Sequence, residues 1–319
     1  MRPAASDATV AAGRLGAPRR RIGPAEPARR SPPRRIVSLV PSLTELLFAL
    51  GVGERVVGVT RYCTAPADRV ERVPKLGGTK NPDCDAIVDL RPDLVVMNAE
   101  ENRREDFETL AAAGLNVLVT EPKTVDDGVR LITILGAAVG QGELGARLAA
   151  AQAAGVATVR ATTSGRRGVP YFCPIWRKPW MAFNADTYAH DVLRVAGGRN
   201  IVAERAERYP TVTLEEVAAA APDVVLLPDE PYRFTARDLP ALAPIVAPAA
   251  CAPLGAQQRQ TEGHEAMTSL RESRRDDGVA VRAVRFVDGK ALSWYGLRIA
   301  DAIETFARVF ATAGETRSE

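Results

Sequence analysis

Histidine occurs only twice in the 319-residue chain, at positions 190 and 264, and cysteine only four times, at 63, 84, 173 and 251. Cysteines this sparse cannot staple a small secreted domain, and without a Cys-x-x-Cys spacing they give no zinc or iron–sulfur signature. His190 sits inside a helical pattern and His264 inside an irregular stretch, so no resident metal and no cofactor is expected. No uncharged apolar run reaches about 18 residues, the length a membrane-spanning helix needs. Lysine supplies only five of the 42 basic side chains. With so much Ala, Arg, Gly and Pro, that imbalance reads as coding bias rather than as a surface built for phosphates. Aromatic residues make up just 5% of the chain, so where they fall carries weight.

The charge is unevenly spread. Residues 1–35 hold nine arginines against Asp7 and Glu26, while the rest of the chain carries 33 basic and 37 acidic groups. The body is therefore mildly acidic, and a nucleic-acid partner is not implied by the whole-chain balance. Residues 1–33 contain six prolines and eight alanines without apolar periodicity, the composition of a tail that cannot offset its ordering entropy. Arg34-Arg35 followed by Ile36–Leu50 superficially resembles an export signal. Ser38, Pro41, Ser42, Thr44 and Glu45 interrupt the apolar run, so the expectation from the sequence as it stands is a cytoplasmic protein, or an extracytoplasmic one if the true start lies elsewhere.

From Ile36 onward the pattern alternates. Apolar runs at Ile36–Val40, Val56–Thr60, Leu94–Asn98 and Asn116–Thr120 predict strands, separated by helices over Leu43–Leu50, Asp83–Leu90 and Glu101–Ala113. Two helices then follow without a strand between them, Val125–Val139 and Glu143–Arg160, with Gly140–Gly142 as a bend. Alternation resumes with strands at Tyr171–Ile175, Val224–Leu227 and Val284–Val287 and helices at Thr187–Ala196 and Leu297–Ala311. The expected fold class is α/β: two lobes with parallel sheets, residues 34–123 and 167–319, joined by connecting helices over 124–166. Residues 247–282 show no sustained period and read as an insertion.

Two segments 130 residues apart repeat one pattern. Asp85 to Val96 aligns with Glu215 to Leu226, each an amphipathic helix ending at Pro-Asp and followed by a buried strand. Asp85 and Glu215 each stand eight residues before the Pro-Asp aspartate, near a helix start that favours acids. A matched acid on each lobe also suits a two-point docking surface.

Enzyme signatures are missing. Gly51-Val52-Gly53 follows a helix and lacks the third glycine of a dinucleotide loop, and neither a P-loop nor a nucleophile elbow occurs. No catalytic residue is assigned and no enzymatic activity is expected.

Val40-Pro41-Ser42-Leu43-Thr44-Glu45-Leu46-Leu47-Phe48-Ala49-Leu50-Gly51, Val57-Gly58-Val59-Thr60 and Arg91-Pro92-Asp93-Leu94-Val95 resemble the cobalamin and ferric-siderophore substrate-binding proteins of ABC importers. Gly77-Gly78-Thr79-Lys80-Asn81-Pro82, Glu100-Glu101-Asn102-Arg103, Ile175–Met181 and Ser293-Trp294-Tyr295-Gly296 are similar to the subgroup called helical-backbone metal receptors. The resemblance implies two lobes bridged by a rigid long helix, a corrinoid, ferric siderophore or related chelate held between them, and a permease docked through Asp85 and Glu215. A monomer is expected; the lack of a visible export signal leaves as the alternative a cytosolic relative acting as a ligand sensor, carrier or uncharacterised enzyme. Two departures stand out: the tryptophan that precedes the first docking acid in cobalamin binders falls near Thr79, and the histidine that relatives carry two residues after the cysteine is replaced within Cys63-Thr64-Ala65.

In such a fold the cleft is lined by loops at strand ends. That nominates Arg61 and Tyr62, Thr79 and Lys80, Asn98 with Glu100 and Glu101, Trp176, Arg177 and Trp180, Asp229, Glu230 and Tyr232, and Trp294 with Tyr295. The aromatics suit stacking on a flat chelate and the cations suit its carboxylates, while the tryptophans equally suit packing of loop cores.

Overall fold

Buried β-branched runs and the helices between them build two sheets of four parallel strands each. The computed structural model describes residues 31–246, 281 and 283–315. The expected tail up to residue 30, and the expected insertion apart from Val281, lie outside the described residues, as do Cys251 and His264.

The first lobe contains β1 (Ile36–Ser38), α1 (Pro41–Ala49), β2 (Val56–Val59), α2 (Ala67–Val70), α3 (Cys84–Asp89), β3 (Leu94–Asn98), α4 (Arg104–Ala112) and β4 (Val117–Thr120). A helical hairpin follows, α5 (Val125–Ala138) and α6 (Gly142–Thr163). The second lobe has β5 (Val169–Phe172), β6 (Trp180–Met181), α7 (Tyr188–Val195), β7 (Gly198–Asn200), β8 (Thr211–Val212), α8 (Leu214–Ala219), β9 (Val224–Pro228), β10 (Ala283–Val287), α9 (Lys290–Ser293) and α10 (Ile299–Glu315).

The sheets run in the orders β2-β1-β3-β4 and β7-β5-β9-β10, with β6 and β8 forming a separate antiparallel ribbon. Setting β1 against β5, β2 against β7, β3 against β9 and β4 against β10 superposes one order on the other. The repeat seen in sequence occupies equivalent places, as α3–β3 in one lobe and α8–β9 in the other. The match extends to the backbone. Arg91 and Ala221 both hold φ at 45° just before the proline. Asp93 N–H donates to Arg35 O, just ahead of β1, and Asp223 N–H to Pro170 O, the second residue of β5, each at 2.8 Å.

Burial explains why the strands were visible. Every residue of β3 and β9 is buried, as expected for central parallel strands covered on both faces. Some boundaries moved for local reasons. The strand expected over Tyr171–Ile175 is β5, Val169–Phe172, because Pro174 has no N–H to continue the ladder. The helix expected from Glu101 starts at Arg104. Asn98 Oδ1 accepts the N–H groups of Glu100 and Glu101 at 2.8 and 3.1 Å, which folds the chain into a turn instead. Gly197, at φ 96°, terminates α7, and Gly198 opens the edge strand β7, where no strand was expected.

Among the described residues, three apolar clusters hold the fold. One fills the outer face of the first sheet around Val37, Val95, Met97 and Leu110, and another the second sheet's outer face around Phe172, Val225 and Leu227. The largest is shared. It runs from Leu43, Leu46 and Leu47 of α1 through Leu131, Ile132 and Leu135 of α5 to Val192 of α7 and Ile303 and Phe306 of α10. The lobes therefore share continuous close-packed side chains, which transmit strain rather than flex.

Candidate functional site

The functional loops follow the carboxyl ends of the strands, where side chains are freed from the ladder and aimed outward. In the first lobe the turn after β3 is locked from within. Asn98 N–H donates to Asn102 Oδ1 at 2.8 Å, and Asn102 Nδ2 donates to Leu39 O at 3.1 Å and Thr79 O at 2.9 Å. These buried amides fix Glu100 and Glu101 and tie them to the Thr79–Lys80 loop, whose Lys80 Nζ donates to Glu100 O at 2.6 Å.

The second lobe answers across the cleft. Tyr295 Oη donates to Glu101 Oε1 at 3.2 Å, and Tyr209 Oη donates to Glu100 Oε1 at 3.2 Å. Arg208 Nη2 lies 2.5 Å from Glu100 Oε1, Nη1 lies 3.7 Å from Glu121 and Nε 4.0 Å from Asp186. Its buried Nε and Nη2 make no hydrogen bond of good angle despite that proximity, so charge rather than directed bonding holds the guanidinium. Lys123 Nζ bridges to both oxygens of Asp186 at 2.8 and 2.9 Å. Arg298 grips Glu45 in a fork of 2.7 to 3.2 Å.

Electrostatics in this group are strained. Burial lifts the Glu101 carboxyl to about 7, with Tyr295 and Lys80 pulling it back in part. Burial also raises Glu100, opposed by Arg208 and Tyr209, and raises Glu230, opposed by Lys290. Burial lowers Lys80, although Glu101 and Glu100 counter it. The like charges of Glu100 and, least of all, Glu230 push Glu101 in the same direction as burial.

A second group is aromatic and belongs wholly to the second lobe. Trp176 meets Tyr232 edge-on at 5.6 Å, Tyr232 lies 4.6 Å from Phe234, and Phe234 stacks on Trp180 at 6.0 Å. Arg177 pairs with the buried Asp238, which also accepts from Tyr232 Oη at 3.1 Å, and its guanidinium lies 5.9 Å from the Trp180 ring. Trp176 is 45% exposed and Trp180 half-buried, so the wall keeps an open face.

The other nominated residues separate. Arg61 and Tyr62 are exposed after β2, and Tyr62, at 56%, is the most exposed of the large apolar side chains among the described residues. Asp229 is exposed, and its Oδ1 accepts from Gly289 N–H at 2.7 Å, which ties it to the loop before α9. Trp294 is buried at 6%, with Arg298 4.7 Å and Lys290 5.3 Å from its ring centre, so it packs the loop core. Asp85 and Glu215 both occupy the second position of their helices, α3 and α8, and both are exposed. A backbone N–H and the Thr213 hydroxyl hold Glu215 below the ordinary carboxylate range.

Sequence reasoning missed Arg208, Tyr209, Asp186, Glu121, Lys123 and the Glu45–Arg298 pair. The Glu-Arg-Tyr-Pro run at 207–210 lies between two short strands with no apolar periodicity. The one available signal was a charged–aromatic dipeptide inside a turn.

Comparison with known proteins places this architecture. A family described as periplasmic binding protein matches residues 36–237. A vitamin B12-binding protein of Vibrio cholerae serotype O1 is 26% identical over 204 residues, covering 64% of this chain and 74% of the relative. One of Yersinia pestis is 27% identical over 195 residues, covering 60% and 69%. Among solved structures, the periplasmic heme-binding protein RhuT of Roseiflexus sp. RS-1 aligns with a TM-score of 0.70 and 25% identity over 88% of this chain and 98% of its own. The periplasmic vitamin B12 binding protein BtuF of Vibrio cholerae aligns with a TM-score of 0.68 and 21% identity over 89% and 98%.

Proposed function

The chain belongs to the periplasmic binding protein family, and on that premise we propose that it captures a compact metal chelate between its lobes and delivers it to an ABC permease. The chelate is a corrinoid, a ferric siderophore or a related macrocycle. One observation carries the reading: groups from both lobes meet at the carboxyl ends of the two sheets through the Glu100–Arg208 and Glu101–Tyr295 contacts, and the second lobe adds an open aromatic wall. Flat rings stack on such a wall, while cations and carboxylates read the ligand's polar edge. The relatives named for vitamin B12 and heme support the same ligand class.

The nominated contacts are Arg61, Tyr62, Thr79, Lys80, Glu100, Trp176, Arg177, Trp180, Glu230, Tyr232 and Tyr295; Arg208 and Tyr209 join them. Trp294 serves by fixing its loop. The N-terminal lobe is taken as residues 34–123, the connector as 124–166 and the C-terminal lobe as 167–319. Closure is small because one core spans both lobes.

Docking uses Asp85 and Glu215, one from each lobe, and the chain acts as a monomer. Support comes from their equivalent places in a duplicated fold and from their exposure. Among the described residues no helix is long and apolar enough to cross a membrane, so membrane contact runs through the permease. The family's periplasmic description favours work outside the cytoplasm, and cell fractionation that finds the native protein in the cytosol overturns that placement.

Titration of tryptophan fluorescence with cyanocobalamin, cobinamide, haemin and a ferric hydroxamate siderophore tests the capture. Saturable quenching by at least one of them at micromolar concentration is expected. Silence towards all four defeats the proposal.

A further inference from the structure

We infer that the second lobe carries, on the side away from the cleft, a binding site for a phosphate monoester. A groove of about 460 Å³ opens between the last turns of α6 and α7 and the edge strand β7. Those helices lead into the amino ends of β5 and β7, so the groove lies at the end of the sheet opposite the ligand loops. Its walls are Arg160, Arg166, Arg194 and Arg199, and Gly168, Gly197 and Gly198 leave its backbone bare of side chains.

The four arginines are not alike. Arg160 pairs with Asp126 at 3.0 Å, and Arg194 bonds Asp191 at 2.7 and 2.8 Å. Both stand in the last turn of a helix, where the carbonyl dipole favours a cation. Helix electrostatics therefore account for that pair. Arg166 and Arg199 lie outside both helices, are exposed, and have no ion pair among the described residues. Two uncompensated guanidinium groups flank one groove on a body that carries 33 basic against 37 acidic groups beyond residue 35.

A phosphate monoester carries about −1.5 to −2 charge near neutral pH, which matches two free guanidinium groups. Its three terminal oxygens accept the paired N–H groups of arginine better than a single carboxylate does. The hydroxyl of Ser164 lines the same groove and adds a donor. The volume accommodates a nucleotide-sized body as well as the phosphate.

Calorimetry on the full chain at low ionic strength, with AMP as the probe and adenosine as its uncharged counterpart, tests the site. Saturable AMP binding without adenosine binding is expected, and R166A/R199A should weaken it by at least about tenfold. The charge-matched double variant R147A/R308A, which removes surface arginines paired with Glu143 and Glu304, should leave it unchanged. A parallel arm floats the protein with vesicles containing phosphatidic acid. Flotation lost in R166A/R199A alone assigns the same site to a lipid headgroup rather than a soluble ester. No binding in either arm, or equal loss in both double variants, overturns the site.

Discussion

Burial lifts the Glu101 carboxyl from an ordinary 4.5 to about 7, and Tyr295 and Lys80 restrain it only in part. Between those values the folded chain holds a proton that the unfolded chain has released. Folding then takes up a proton, so stability falls as pH rises through the window. At about 1.4 kcal/mol per unit, the effect is on the order of 3–4 kcal/mol. Glu101→Gln should flatten the dependence of the urea midpoint between mildly acidic and alkaline pH, and should stabilise the protein on the alkaline side. An unchanged slope would show that another group is responsible. Glu100 and Glu230 are raised too, so a smaller slope of the same sign should survive. Tyr295→Phe removes the donor to Glu101 and should cost about 1–3 kcal/mol above neutral pH, where the carboxylate is charged. Below the window the cost should shrink, and a loss independent of pH would contradict the assignment.

Among the elements, the hairpin of α5 and α6 shows how small residues set geometry. A Cβ on Gly145 would lie 3.0 Å from the Gly136 Cα and 3.1 Å from Ile132 O, both backbone atoms that cannot swing away. Alanine gains about 1 kcal/mol in helix propensity over glycine, but overpacking costs about 1–3 kcal/mol, so the clash should win. Gly145→Ala is expected to lower the urea midpoint. Gly142→Ala, where nothing lies within 4 Å, should leave it unchanged or raise it; equal effects from the two substitutions would refute the close-packing argument. The same scale explains what could be read beforehand. The central strand β3, Leu94–Asn98, matches its expected bounds because burial on both faces makes its sequence a continuous apolar run. The edge strand β7 was invisible because Gly198-Arg199-Asn200 holds no apolar run. The candidate site followed this division. Loops after strong strands drew attention to Glu100, Glu101 and Trp176. Arg208 and Glu45 owe their place to tertiary approach, which no local pattern encodes.

For the whole molecule, the shared core predicts cooperativity. Leu43 and Phe306 belong to one cluster although they lie in different lobes, so the chain should unfold in a single transition by fluorescence and by circular dichroism. Two separated transitions would show that the lobes are energetically independent. The duplicated topology bears on delivery. If the proposed docking surface meets basic groups of a permease, charge reversal at one acid, Asp85→Lys or Glu215→Lys, should reduce uptake of the ligand in cells by at least about tenfold, since like-charge contacts cost several kcal/mol. Ligand affinity of the purified variants should stay unchanged, and a parallel fall in affinity would place those acids in binding rather than docking.

The continuous core has one more consequence. With no independently melting half, occupancy of the cleft has to register in the melting point of the entire chain. A ligand at about a hundred times its Kd adds about 2.7 kcal/mol to the folded state, and that increment cannot be hidden in a silent lobe. The protein is thereby its own reporter: a plain thermal-shift screen of coloured or colourless compounds, without labels or transport machinery, would reveal its cargo as a displaced melting curve.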